Sequence, residues 1–374
     1  MLSYWEKKHF LKSDLLVVGA GFVGLSTAIH FKRSFPNKQV LVLERGAFPT
    51  GASTKNAGFA CFGSLTEIID DLTIMDSSEV LRLVERRFQG LNSIRKEFGD
   101  ENLDFRDSGG FELLEATQMS AMGRLDEINS LLYPLFQNDV FSVQSGHQNF
   151  GFSDEVQAVI KNQFEGELDP GKYMSNLWQK ATQEGVKILT GIQVREVDKD
   201  SSRVKCTDAM DRKIDFSGEQ LAICTNAFTK TLLPQTEVTP GRGLILLSER
   251  LDFDLPWRGS FHVDKGYVYF REIDGRLLLG GGRNIDFEGE NSESFEVNPK
   301  VKHFLDQLAR EKILPNKKFS WEMEWTGIMG FGKSKSPIVQ AISSQSAIAV
   351  RLGGMGVAVG WQVGKEMAEL LAEM

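Results

Sequence analysis

The stretch Asp14-Leu-Leu-Val-Val18 is apolar from its second residue on, without the alternation of a half-exposed strand. Such a run predicts a strand buried on both faces of a parallel sheet. After a glycine-rich turn, Leu25, Ala28, Ile29 and Phe31 recur at helical spacing, and a second apolar run, Val40 to Leu43, follows. Further along, Val80, Leu83, Val84, Arg87, Phe88, Leu91, Ile94 and Phe98 keep a three/four spacing that predicts a helix. Gly110 to Leu114 reads as a strand and Met122 to Leu135 as a helix. Leu177 and Ala181 mark an amphipathic stretch. The segments Leu244 to Ser248, Gly266 to Arg271 and Leu277 to Leu279 read as antiparallel strands, and the chain closes on a helix reaching Leu371. No internal repeat or low-complexity tract interrupts the pattern.

Composition narrows the class. The chain has 374 residues, 41% of them hydrophobic and 25% charged, with a formal net charge of −8. These are globular values with length for two or three domains. No Lys/Arg cluster offers the basic face that nucleic acid needs, so no nucleic-acid partner is expected. Cys61, Cys206 and Cys224 are too few and too scattered for a disulfide framework or a zinc site. His9, His30, His147, His262 and His303 show no metal-ligand spacing, so no metal is expected. No apolar run reaches the roughly 20 residues of a membrane span. No cleavage site follows the early apolar stretch, so the reading is cytoplasmic with no membrane span. Glycine departs from the background at 36 residues, clustered at 19–24, 51–63, 109–110, 280–282 and 353–364. Such clusters mark places where backbone comes close to something.

The first cluster, Gly19-Ala-Gly21-Phe22-Val23-Gly24, lies between the first strand and its helix, and Glu44 ends the second strand 20 residues beyond Gly24. This is the order of a dinucleotide-binding unit. Gly19 permits the tight turn, Gly21 lets the backbone approach a pyrophosphate, and Gly24 lets helix pack on strand. The helix N-terminus offers free N–H groups to phosphate, and Glu44 is placed for the adenosine ribose. The acid disfavours a 2′-phosphate, which leaves NAD or FAD.

The second cluster separates these two. Arg45-Gly-Ala-Phe-Pro-Thr-Gly51-Ala52-Ser53-Thr54-Lys-Asn56-Ala57-Gly58 supplies small hydroxyls, an amide and glycines without helical periodicity, a loop suited to an extended ligand. The combination of GxGxxG, Glu-Arg-Gly and Gly-Ala-Ser-x-x-Asn-Ala-Gly resembles the FAD-dependent amine and amino-acid oxidoreductases, the group of glycine oxidase, D-amino-acid dehydrogenase, sarcosine oxidase and gamma-glutamylputrescine oxidase. The likeness continues through Leu168-Asp-Pro-Gly-Lys172, Gly191-Ile-Gln-Val194, Leu221-Ala-Ile-Cys-Thr225-Asn226, Pro240-Gly-Arg-Gly243, Asp274-Gly-Arg-Leu-Leu-Leu-Gly-Gly281 and Arg351-Leu-Gly353-Gly354-Met355-Gly356-Val357-Ala358.

That resemblance implies an α/β fold, α+β overall: a Rossmann-like FAD-binding domain over 1–75, 150–235 and 326–374, interleaved with a mostly antiparallel-sheet substrate domain over 76–149 and 236–325. It implies Val194 at the adenine, Thr225 and Asn226 at a second contacting strand end, and Gly353 to Ala358 beneath the flavin ring. Donors at Gly356, Val357 and Ala358 would stabilise charge on a reduced ring. Relatives with a cysteine-linked flavin attach it near the C-terminus, whereas the last cysteine here is Cys224, so FAD is expected non-covalently bound. Cys61 is expected close to the ring as a buried inert thiol. Relatives often carry Thr/Asp before a proline near the flavin, where this chain has Lys333-Ser-Lys335-Ser-Pro337.

Tyr267, Tyr269 and Arg271 alternate with Val268 and Phe270 and are expected on one strand face. The resemblance implies that this sheet roofs the flavin and that Tyr269 and Arg271 would meet the substrate carboxylate, with Arg242 and Arg283 as weaker candidates. No His/Asp or Cys/His pair is marked as a general base. The implied reaction is hydride transfer from an amine or amino acid to flavin N5, an imine that hydrolyses, and reoxidation by oxygen or another acceptor. A 2-hydroxy acid or polyol dehydrogenase on the same fold, and a non-catalytic or RNA-modifying flavoprotein, stay open as alternatives.

Overall fold

The structure is a computed structural model describing residues 1–374. Its first sheet has eight strands. Five run parallel in the order Ser346–Val350, Lys213–Ile223, Lys12–Val18, Val40–Leu43 and Lys187–Leu189. Ile338–Ala341 closes one edge, and Ile192–Asp198 with Arg203–Asp208 forms an antiparallel layer on the long strand. The apolar runs read from sequence are its central strands, with Leu15, Leu16 and Val17 at 0% exposure.

Helices Phe22–Ser34, Pro170–Gln183 and Gly356–Glu373 cover one face with a single core that includes Phe22, Tyr173, Trp361 and Met367. The terminal helix seats on the first one through two glycines. A Cβ at Gly360 would lie 2.9 Å from the Phe22 Cβ, and one at Gly364 would lie 2.4 Å from the Ser26 Cβ. The Ser26 hydroxyl donates to the Trp361 carbonyl at 2.7 Å across this crossing. Gly360 therefore belongs to helix packing and not, with its neighbours 353–356, to a ligand turn.

The second sheet also has eight strands, in the order Trp321–Phe331, Thr239–Ser248, Arg276–Gly281, Val268–Ile273, Ser260–Val263, Gly110–Leu114, Ala158–Asn162 and Phe141–Val143. All its pairs are antiparallel except Ser260–Val263 with Gly110–Leu114. Two expected boundaries shift. Ala158–Asn162 lies beyond 150 yet pairs into this sheet, and Trp321–Phe331 carries it past 326. The helix Ser77–Phe98, expected wholly within the substrate domain, spans both parts. Val80 and Val84 join the cluster around Phe62, while Leu91, Ile94 and Phe98 join the core of the first sheet. At Gly90 a Cβ would sit 1.9 Å from the Ala358 carbonyl oxygen, so the two backbones touch there. No helix is long and apolar enough to cross a membrane.

Two stability predictions follow from these contacts. Gly364→Ala forces the terminal helix off Ser26 and lowers unfolding free energy by about 1–3 kcal/mol, whereas Gly123→Ala, with nothing within 4 Å, leaves it unchanged. Urea titration of both variants checks this, and equal midpoints would refute the crossing as a constraint. The second prediction concerns His30, whose ring centroid lies 4.4 Å from that of Trp361. Burial first, then Arg33, lowers its pKa from 6.5 to about 4. A depressed pKa means the neutral form is the one that folds, so stability is fully present above pH 6.5 and falls as pH drops toward 4. His30→Phe removes that proton and gains about 1–2 kcal/mol over the parent between pH 7 and pH 5. A difference that stays constant with pH would exclude the linkage.

Candidate active site

Between the two sheets runs one cavity of about 730 Å³. Its first wall is the turn after strand Lys12–Val18. Gly19 has φ +102°, and a Cβ there would come 2.8 Å from the Cys224 carbonyl oxygen. Gly21 caps the helix Phe22–Ser34 without any side-chain bond of its own. Gly24 does not reach the cavity. A Cβ on it would lie 1.8 Å from the Gly19 carbonyl oxygen, which is the close packing its spacing predicted.

Glu44 lines the cavity 7% exposed, and its carboxylate accepts from Ala20 N at 3.1 Å and Gly46 N at 3.0 Å. The acid thus ties the glycine turn to the second strand end while still facing the cavity. Arg45 stacks its guanidinium 3.8 Å from the Phe228 ring centroid. Val194, Thr225 and Asn226 line the same end. The Asn226 amide oxygen also accepts from Arg351 N at 3.0 Å, joining the two strand ends.

The loop 51–58 forms the next wall. Ala52, Ser53, Asn56 and Ala57 line the cavity, with the Ser53 hydroxyl accepting from Phe22 N at 3.1 Å. Thr54 and Gly58 are scaffolding instead of lining. The Thr54 hydroxyl donates to the Pro49 carbonyl at 2.7 Å, and Gly58, at φ +74°, leaves no room for a Cβ beside the Leu168 carbonyl. Asn56 staples the loop by donating to Ser53 O at 2.9 Å and accepting from Gly58 N at 2.9 Å. Opposite, Gly353 to Ala358 all line the cavity, with Gly353 and Gly354 at φ +58° and +82°. The terminal helix begins there without a side-chain cap, so its first-turn N–H groups have no helical partner.

The far end is roofed by the second sheet. Tyr267 and Tyr269 line it, as expected. Burial pushes the Tyr269 phenol up to about 12, so it remains a donor. Arg271 does not join them. It is 5% exposed, and its Nη1 donates to the Gly58 carbonyl at 3.2 Å and the Leu168 carbonyl at 3.0 Å. Alternation placed Arg271 on the correct face, but the loop 51–58 lies across that position and takes the guanidinium as its brace. Arg242 is likewise removed, held bidentate by Glu290 at 3.1 and 2.8 Å. Arg283 is the arginine that reaches the cavity. It stacks against Phe331 at 4.3 Å and Phe287 at 5.1 Å, donates Nη2 to Asn291 at 2.7 Å, and keeps a buried Nε with no partner.

One side of this end carries Lys333 and Lys335 of the segment that departs from the relatives' pattern, and Lys335 has partners that the sequence did not mark. Lys335 is neither free nor exposed as a lone lysine: its Nζ lies 2.6 Å from Asp71 and 3.1 Å from Glu67. Arg87 reaches Glu67 at 3.2 Å. Burial works to raise the Glu67 carboxyl, but Arg87 and Lys335 outweigh it and hold it at about 2. Lys333 lines the cavity without a salt bridge. Cys61 and His262, separated by some 200 positions, meet at the wall together with Glu165. A Cys/His pairing was missed because it joins a loop to the strand Ser260–Val263 across the fold, and no short-range spacing announces it.

With this geometry in place, the comparisons identify the class. The signature of the family described as FAD dependent oxidoreductase matches residues 14–370, and the chain belongs to that family. It is an FAD-dependent oxidoreductase. It is 25% identical over 377 residues to the gamma-glutamylputrescine oxidoreductase of Escherichia coli (strain K12), covering 96% of this chain and 83% of that protein. It is 23% identical to the probable oxidoreductase OrdL of Rhizobium meliloti (strain 1021), with the same coverage. Among solved structures, glycine oxidase from Geobacillus kaustophilus superposes with a TM-score of 0.77 at 16% identity, over 97% of this chain and 95% of that one. L-proline dehydrogenase from P. horikoshii gives 0.73 at 17% identity, over 97% and 94%.

The cavity fits the cofactor. Two uncapped helix N-termini face one space, and a side chain at Gly19 would close on the wall behind it. Glu44→Ala is expected to free the glycine turn and weaken FAD retention about 10-fold or more, since a buried carboxylate with two N–H partners contributes on the order of 1–3 kcal/mol. Flavin absorbance per chain after gel filtration measures it, and undiminished retention would remove Glu44 from the site.

Proposed function

We propose that this chain oxidises the C–N bond of an amine or amino acid, yielding an imine that hydrolyses in water. The observation that carries the reading is the continuity of the cavity. One space runs from Glu44 and Val194 to the roof of Tyr267, Tyr269 and Arg283, and the roof offers a buried Nε with no protein partner. The chain's similarity to a gamma-glutamylputrescine oxidoreductase, a glycine oxidase and an L-proline dehydrogenase supports the same chemistry.

In this reading Gly19, Gly21, Phe22, Val23 and Ser53 hold the pyrophosphate, Glu44 the ribose, and Val194 the adenine end. Bound FAD supplies the acceptor for the substrate's hydride. The N–H groups of Gly356, Val357 and Ala358 present positive dipole to the negative charge that reduction creates. Arg283 and Tyr269 grip a substrate carboxylate, with Phe331 and Phe287 fixing the guanidinium plane. Arg271 acts at one remove, keeping loop 51–58 in place.

Anaerobic titration of the FAD-loaded protein tests this reading by the bleaching of the flavin band. Amines or amino acids are expected to bleach it, and bleaching by 2-hydroxy acids alone would overturn the assignment. Arg283→Ala is expected to raise the amino acid concentration for half-bleaching about 30- to 100-fold, the equivalent of about 2–3 kcal/mol, with FAD retained. An unchanged concentration would displace Arg283 from substrate binding.

A further inference from the structure

Cys61, Glu165 and His262 bring a thiol sulfur, a carboxylate oxygen and an imidazole nitrogen within 4.8 Å of one another. All three are buried, at 9%, 1% and 6% exposure, and Cys61 and His262 also line the cavity. The Nε2 of His262 stands 3.4 Å from Glu165 Oε2 yet makes no hydrogen bond with any group. A buried ring nitrogen left without a partner requires an explanation.

Glu165 is placed with care. Its Oε1 accepts from Phe62 N at 2.9 Å and Gly63 N at 3.1 Å, which leaves Oε2 directed at the imidazole. Only a glycine at 110 allows this, because a Cβ there would lie 2.2 Å from Oε2. An ion pair alone accounts for the carboxylate, but not for the thiol beside it or for the off-line approach of the ring.

The separations match a tetrahedral cation site. With arms of about 2.0–2.2 Å to nitrogen and oxygen, the N···O edge of a tetrahedron is about 3.3–3.5 Å, close to the separation found. A thiolate arm of about 2.3 Å sets the edges to sulfur near 3.6 Å, and the three ligand atoms already lie within 4.8 Å of one another. The surrounding charge favours a cation as well. Glu165 and Glu112 act on the imidazole, while Glu67 is already paired with Arg87 and Lys335.

We propose that Cys61, Glu165 and His262 form a binding site for a divalent cation of the zinc class, with the fourth coordination position open to the cavity. As the Sγ–Zn bond forms, the thiol releases its proton to water, and His262, whose neighbouring carboxylates favour its protonated form, likewise gives up its Nε2 proton to water before binding. The site is independent of the substrate reading, since it needs neither an amine nor turnover.

The test uses FAD-loaded protein stripped with a chelator, given zinc chloride, gel-filtered and analysed for metal, with affinity from calorimetry. About one zinc per chain is expected in the parent and in Cys206→Ser. Cys61→Ser and His262→Asn are each expected to weaken binding about 100-fold or more. A parent that retains no zinc, or variants that retain it as the parent does, would overturn the site. If the variants fail to fold, X-ray absorption at the zinc edge of the parent decides. One sulfur with nitrogen or oxygen neighbours supports the proposal, and a shell without sulfur refutes it.

Discussion

The architecture depends on how closely two helices cross. The helix after the first strand and the helix that ends the chain touch through Gly360 and Gly364, and no side chain larger than hydrogen fits at either position. Close approach of this kind fixes axial position as well as distance, because interiors pack at near-crystalline density and do not yield gradually. With Gly360 beside Phe22 and Gly364 beside Ser26, the two helices run in the same direction and the terminal one begins about one turn before the other. Their uncapped N-termini, at Gly21 and at Met355–Gly356, face one cavity. A ligand with two separate centres of negative charge meets a dipole end at each.

The second constraint is the loop 51–58, which has little internal structure and is held from outside. Arg271 and Leu168 grip it at Gly58, Ser53 bonds to the first helix at Phe22 N, and Trp325 Nε1 donates to Lys55 O at 3.1 Å. Elements from both sheets thus meet on one short segment. The buried guanidinium spends its hydrogen bonds on carbonyls and so acts as part of the backbone network, which is how an arginine stays in an interior.

Much of this was legible in the sequence. The apolar runs 15–18 and 40–43, the glycine order 19–24 and Glu44 are local patterns, and local patterns survive because strand, turn and helix form from neighbouring residues. The second sheet's strands were readable for the same reason. Arg271 was misplaced because period-two alternation gives the face of a strand but not what another segment lays across it. Ala158–Asn162 was assigned to the wrong half because nothing in five residues tells which sheet they will join. The grouping of Cys61, Glu165 and His262, and the pairing of Lys335 with Asp71, depend on long-range separations along the chain that no spacing encodes.

The order of strands in the first sheet has a consequence for how the chain comes into being. Lys12–Val18 has Val40–Leu43 on one side, yet its other flanking strand is the distant Lys213–Ile223, whose own second neighbour is the still later Ser346–Val350. The helix that completes this core, Gly356–Glu373, follows all of these strands along the chain. Lys12–Val18 can pair early with Val40–Leu43, but its other edge stays open until Lys213–Ile223 follows, and pairings of low contact order form first. In the second sheet the run from Thr239 to Gly281 pairs largely within a few tens of residues, whereas Ser260–Val263 with Gly110–Leu114 bridges a long separation. A truncation that spares every residue around the cavity but removes the last helix would leave the protein a trapped nascent intermediate, exposed to aggregation and proteolysis.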